Sequence, residues 1–254
     1  MTVVTEITAP IARIQLNSPN TLNALNLAMG KSIQTTLASI EDNPEIKVVI
    51  IESLVEKAFA TGIDLKEFHQ NNTPKHRKEF LDTWASISRF SKPLIMSLHG
   101  YVFGGGLELA LMGDILVGAD NTLFSQPELS VGTIPGMGAT QRLPRRIGIS
   151  RATDMVLTCR RIDALTAFHW GLISQIVPLD KLNQTITAIA LKIAEKSLPM
   201  LRSAKVALRK SEEEGLTVGL HHERHLFLDT FRLADQSEGF QAFLEKRLPS
   251  FKDR

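Results

Sequence analysis

Apolar and polar residues alternate over residues 1–16, and residues 11–16 read as a strand ending in the turn-forming Asn17-Ser18-Pro19-Asn20. The period then changes. Leu22, Leu25, Met29, Ile33, Leu37 and Ile40 recur at helical spacing, and Asn43-Pro44 stops the run. Residues 48–51 and 93–98 are short continuous apolar runs, the pattern of strands buried on both faces. Residues 74–89 predict a charged surface helix and residues 107–112 a short apolar helix after three glycines, while 115–117 and 122–124 read as extended. Beyond Ser150 the strand signal nearly vanishes, and helices are predicted over 150–157, 164–169, 179–196, 199–210, 216–232 and about 238–247. Alternating strands and helices imply an α/β core with right-handed crossovers. The late helices must bury their apolar faces on that core or on another subunit. No linker-like stretch separates residues 1–198 from the helical residues 199–254, so both are read as one folding unit.

Composition narrows the function classes. A length of 254 residues suits one large domain, and 43 % apolar with 22 % charged residues is ordinary for a globular chain. A net charge of +2 does not point to nucleic acid. Cys159 is the only cysteine, which excludes an internal disulfide and suggests a reducing, cytoplasmic setting. The first residues have no continuous apolar stretch and are read as strand rather than signal peptide; no apolar run is long enough to span a membrane.

Candidate chemistry concentrates in residues 92–108. A buried strand leads through Gly104-Gly105-Gly106 into a helix carrying Glu108. Glycines permit close backbone approach, and a helix start offers unpaired N–H groups to a developing negative charge, as an oxyanion hole requires. The same spacing also fits a turn needed only for tight packing. Glu108 could merely complement the helix dipole. Its neighbours Leu107, Leu109, Ala110 and Leu111 instead predict partial burial, which raises a carboxyl pKa toward acid–base work. Glu128 follows Pro127 and precedes a second glycine-rich stretch, residues 132–138; alone it reads as a loop carboxylate. Other motifs fail. Gly136-Met137-Gly138 lacks the third glycine of a dinucleotide fingerprint, and His221-His222-Glu223-Arg224-His225 has the wrong spacing for a zincin, so no metal site is expected.

The ordered landmarks resemble the crotonase (enoyl-CoA hydratase/isomerase) family. They are residues 22–26, 57–67, 104–108, Asp114-Ile115, 126–128 with 132–136, 140–143, 171–173 and 243–247. The resemblance implies a ββα superhelix with a helical C-terminal trimerisation region, assembled as a homotrimer or a dimer of trimers. It implies an acyl-CoA substrate, CoA being part of the substrate and no separate cofactor being needed. Glu108 and Glu128 would form the acid/base pair of a hydratase, with backbone N–H groups of Ile63 and Gly105 as the oxyanion hole. Ala24, Ala60, Thr61, Ile63, Asp64, Leu65, Lys66, Gly105, Pro127, Gly136 and Lys246 would contact substrate. The expected reaction is water addition across the 2,3 double bond of an enoyl-CoA. Alternatives are double-bond isomerisation, for which only the position matching Glu128 is needed, or a non-catalytic CoA- or RNA-binding scaffold. Four departures stand out. Ser18 and Asn20 occupy a loop that often carries a basic residue, Ile63 is bulkier than the usual alanine and would narrow the acyl entrance, His99 replaces a common Asn, and Cys159 replaces a common Gly.

Overall fold

The chain folds as a spiral in which each turn lays one strand into each of two sheets. The computed structural model describes residues 2–71 and 73–253. An antiparallel hairpin of β1 (Val3–Thr8) and β2 (Ile11–Leu16) starts it. Strand β2 then pairs in parallel with β3 (Val48–Ser53). Three turns follow: β3 leads to β4 (Ala58–Ala60), β5 (Leu94–Leu98) to β6 (Tyr101–Phe103), and β7 (Ile115–Ala119) to β8 (Leu123–Ser125). With β9 (Ile162–Asp163) and β10 (Gln175–Val177), the sheets run β1-β2-β3-β5-β7-β10 and β4-β6-β8-β9.

Period-two alternation explains the apolar runs. In β3, Val49 and Ile51 enter the main core with Trp84, Phe80 and Phe59. Val48 and Ile50 face the other way, onto Leu182, Ile186 and Ala190 of helix Leu182–Ala194. Both faces are covered, as parallel strands require.

Several boundaries differ from the sequence reading. The first helix runs Leu27–Glu41, not from Leu22, because Asn26 caps it by accepting from the Met29 N–H at 2.8 Å. Leu22 and Asn23 are left-handed, with φ of 50° and 56°. The Asn23 side chain holds that loop, donating to Ser53 Oγ and to the Phe59 carbonyl. The apolar Leu25 that imitated helical spacing instead bridges Ile63. Strands β4, β6, β9 and β10 have two or three residues each, too short for a period to register. The two last contradict the expectation that strands end near Ser150. Helices Leu65–Gln70 and Ala139–Ile147 were likewise not expected; the second contains Pro144.

Charged groups dock the C-terminal helices. The fully buried Lys92 donates to the carbonyls of Ile40, Asn43 and Ile46 at 2.7, 2.6 and 2.8 Å, closing the end of the first helix. Lys205, on helix Leu198–Glu213, donates to the Lys92 carbonyl and pairs with Asp114, both at 2.6 Å. Beyond it, helices Leu216–Thr230 and Ala234–Leu244 leave Leu216, Leu220, Phe227, Phe231, Phe240 and Phe243 exposed. No helix among the described residues is long and apolar enough to cross a membrane.

Two departures gain a physical account. The ring of His99 meets the Val55 carbonyl at 3.0 Å and steadies the loop before β4. Cys159 ends helix Ile149–Thr158 with φ 53°, the left-handed position where glycine is the usual residue. We expect Cys159→Gly to raise stability by about 0.5–1 kcal/mol in urea melts, through relief of the Cβ clash. An unchanged or lower midpoint would count against that account.

Candidate active site

The site is built where β6 turns through three glycines into helix Gly105–Ala110. Gly104 has φ 51° and ψ −125°, and a Cβ there would lie 2.9 Å from Glu128 Oε1. Both facts demand glycine. A Cβ on Gly106 would run into the Ala60 carbonyl, so β4 and the helix start can touch only with glycine present.

Glu108, in the first turn of that helix, is 1 % exposed. Its Oε1 accepts from the N–H groups of Met137 at 2.7 Å and Ala139 at 3.0 Å. Its Oε2 is buried and meets no protein partner among the described residues. Burial holds the Glu108 carboxyl above the usual range even though the amides of residues 136–139 pull it back. One carboxylate oxygen is thus fixed by backbone donors and the other is not.

Glu128 opens a 3-10 turn directly after Pro127, facing the same turn from β8. Burial, with a contribution from the Glu108 charge, pushes its carboxyl up to about 7. Gln126, fully buried, is assigned with its amide nitrogen toward Glu128 and donates to the two carboxylate oxygens at 2.9 and 3.0 Å. Sequence reasoning quoted Gln126 without a role. The signal was there: a buried amide two positions before a carboxylate must find a partner.

The backbone supplies donors beside this pair. Leu25 donates to the Gly62 carbonyl at 2.7 Å and accepts from Asp64 at 2.8 Å, which turns the Ile63 N–H to the opposite side. There it faces Gly105, whose hypothetical Cβ would stand 3.4 Å from Ile63 N. Neither the Ile63 N–H nor the Gly105 N–H meets a protein acceptor among the described residues. Gly105 is the first residue of its helix, where an unpaired N–H is expected.

Comparison with known proteins decides the family. Residues 6–254 match the family model described as enoyl-CoA hydratase/isomerase. A probable enoyl-CoA hydratase of Mycobacterium bovis is 40 % identical over 254 residues, covering 100 % of this chain and 98 % of that protein. The chain belongs to the crotonase family. The mitochondrial enoyl-CoA hydratase of Pongo abelii is 39 % identical, over 96 % of this chain and 84 % of that one. An enoyl-CoA hydratase crystal structure from Bacillus anthracis superposes with a TM-score of 0.94 at 32 % identity, covering 100 % of both chains. The expected crotonase fold is therefore present, and the chain carries enzymes of this family as its relatives.

Within the crotonase fold the remaining residues of the sequence reading separate into groups. Ala60 is buried at the end of β4. Thr61 Oγ1 donates to the carbonyls of Thr21 and Leu22, which pins Ala24 and its loop beside the Gly62–Ile63 backbone. Asp64 caps helix Leu65–Gln70 through the Lys66 and Glu67 N–H groups. Leu65 and Lys66 border a cavity of about 550 Å³ together with Phe68, His69 and Arg77. Gly136 is exposed in the loop that embraces Glu108. Lys246 stands apart: it follows helix Ala234–Leu244 with φ 55° and bonds back to Phe243. His221 and His225 touch each other at 3.2 Å, and no group of three His, Cys, Asp or Glu among the described residues could hold a metal.

The Glu128 environment predicts a stability signature. Its folded pKa of about 7 exceeds the ordinary 4.5, so the native state binds more protons between those values. Its stability contribution is complete below about 4.5 and is lost as pH rises through about 7. Gln cannot ionise. Glu128→Gln should therefore raise Tm at pH 8 and change it much less at pH 5; an equal shift at both values would contradict the buried-acid assignment.

Proposed function

We propose that this protein is an enoyl-CoA hydratase that adds water across the 2,3 double bond of an enoyl-CoA thioester to give the 3-hydroxyacyl-CoA. The observation that carries this reading is the two-carboxylate arrangement. Glu108 is tied by one oxygen and carries a second, buried oxygen with no protein partner among the described residues, beside Glu128 with its pKa near 7. A site that only shuttles a proton needs one such group, whereas holding and splitting a water uses two.

In this reading the thioester carbonyl accepts from the Ile63 and Gly105 N–H groups. Those donors stabilise the negative charge that develops on its oxygen. Polarisation makes C3 electrophilic. A water held between the carboxylates loses a proton to ionised Glu108 as its oxygen bonds to C3. Protonated Glu128 delivers a proton to C2 of the enolate-like state, and proton exchange between the two acids resets them. Atoms balance: one water becomes the C3 hydroxyl and the C2 hydrogen. Gln126 orients the Glu128 carboxyl, while Ala24, Ala60, Thr61, Asp64, Leu65, Lys66, Pro127 and Gly136 line the approach. The single cysteine supports a reducing, cytoplasmic setting.

The isomerase alternative is separated by one comparison. Glu108→Gln should lower crotonyl-CoA hydration by about 10²–10⁴ while sparing 3-hexenoyl-CoA isomerisation, since moving a double bond adds no water. Glu128→Gln should abolish both, and the double mutant should be little worse than Glu128→Gln. Hydration within threefold of wild type in a folded Glu108→Gln protein would transfer preference to isomerisation.

We also propose that the exposed C-terminal residues Leu216, Leu220, Phe227, Phe231 and Phe243 lie at subunit contacts of a trimer or a dimer of trimers. Many large apolar side chains exposed on neighbouring helices, with Phe227, Phe231 and Phe240 in ring contact, support association. Light scattering at micromolar concentration should give three or six times the 28.1 kDa chain mass. A monomer would reject the assembly.

A further inference from the structure

The Glu108 carboxylate is held by a loop, and the loop is itself held from behind. Met137 and Ala139 donate their N–H groups to Glu108, and the Met137 carbonyl accepts from Arg142 Nη1 at 3.0 Å. Between these donors lies Gly138, with φ 119°, and a Cβ there would collide with the Arg142 guanidinium. The Nη1 end of the guanidinium therefore lies against the bare glycine that links the two donors. Arg142 sits in helix Ala139–Ile147, the helix that starts at the second of those donors. Its position one turn along lets it reach back to the loop.

On its far side Arg142 lines a second cavity of about 610 Å³. Leu111, Asp114, Arg146, Leu208 and Glu212 are among the other walls, and neither Glu108 nor Glu128 belongs to it. The other cations of the helix are engaged elsewhere: Arg145 donates to the Gln141 and Glu212 carbonyls and Arg146 to the Gly113 carbonyl at 2.7 Å, so neither duplicates the Met137 contact. Among the described residues, Arg142 alone ties the Met137 carbonyl with a side-chain donor.

We propose that Arg142 is a positioning residue for the reaction: its guanidinium fixes the Met137–Ala139 peptides that aim Glu108, and it can be reached through the rear cavity. The inference rests on the hydratase reading only for its kinetic consequence. A displacement of about 1 Å in a catalytic group costs on the order of 10²-fold in rate, so the loss appears in kcat. Apart from Gly136, which adjoins the held loop, the proposed substrate contacts lie on other elements, so KM changes less than kcat. Lysine keeps the charge and one donor but not the planar fork, so it restores part of the function.

The test measures crotonyl-CoA hydration for wild type, Arg142→Ala and Arg142→Lys, with and without 20–50 mM guanidinium ion (~20–50 mM, far below denaturing levels). It also measures amide hydrogen exchange at Met137 and Ala139. Arg142→Ala should lose roughly 10–100-fold in kcat with KM within about threefold, and Arg142→Lys should lose less. Guanidinium should recover at least about fivefold of the Arg142→Ala loss, without accelerating wild type or Glu108→Gln. Exchange at Met137 and Ala139 should quicken in Arg142→Ala and slow again with guanidinium. Wild-type kcat and exchange in either variant overturn the proposal, as does a loss that guanidinium leaves untouched or that falls on KM. If Arg142→Ala does not fold, Arg142→Lys decides by the same kcat and exchange criteria. If wild type itself shows no hydration, the hydratase reading fails, and exchange with and without guanidinium still decides whether Arg142 holds the loop.

Discussion

The backbone contact between successive turns of the spiral is the constraint on which the site depends. Gly106 rests so closely on the Ala60 carbonyl that no side-chain atom fits between them. That contact brings the first residue of one helix beside the loop after β4, with the Gly105 and Ile63 backbones in close approach. Packing at one carbonyl thus sets the spacing of two backbone N–H groups a few residues away.

The second constraint is electrostatic. Burial is the main reason that both carboxyls are held above their ordinary range, and the Glu108 charge adds to the effect on Glu128. The fold offsets this unequally. Glu108 receives backbone donors from the 136–139 loop, whereas Glu128 has the Gln126 amide and more access to water. Glu108 thus keeps two backbone donors that favour its charged form against the pull of burial, whereas burial pushes Glu128 up to about 7.

Much of this was legible in the chain. Continuous apolar runs marked β3 and β5, and the glycines before Leu107 marked the turn into the helix that carries Glu108. The short second-sheet strands were not, because Ala58-Phe59-Ala60 and Tyr101-Val102-Phe103 contain too few residues to display a period. Leu22 and Leu25 misled because bridge and loop residues happened to fall at helical spacing. The donors that hold Glu108 belong to the backbones of Met137 and Ala139, and a backbone N–H leaves no trace in residue identity. Cys159 was an unexplained departure until its left-handed φ was seen, since sequence alone does not reveal a backbone angle.

Lys92 gives the fold a chemical immunity. All three of its ammonium hydrogens are engaged by the carbonyls of Ile40, Asn43 and Ile46, and the side chain is sealed from solvent. An amine attacks a thioester through a free lone pair; burial pulls the Lys92 pKa down to about 8 and so favours that lone pair, yet the same burial seals the nitrogen from any acyl donor. Lys66, in contrast, is exposed at the edge of the cavity beside Leu65. In a solution of reactive acyl donors, spontaneous acylation would therefore mark the rim lysine and spare the internal one, so chemical ageing by thioesters would erode the surface before it reached the clamp that closes the first helix.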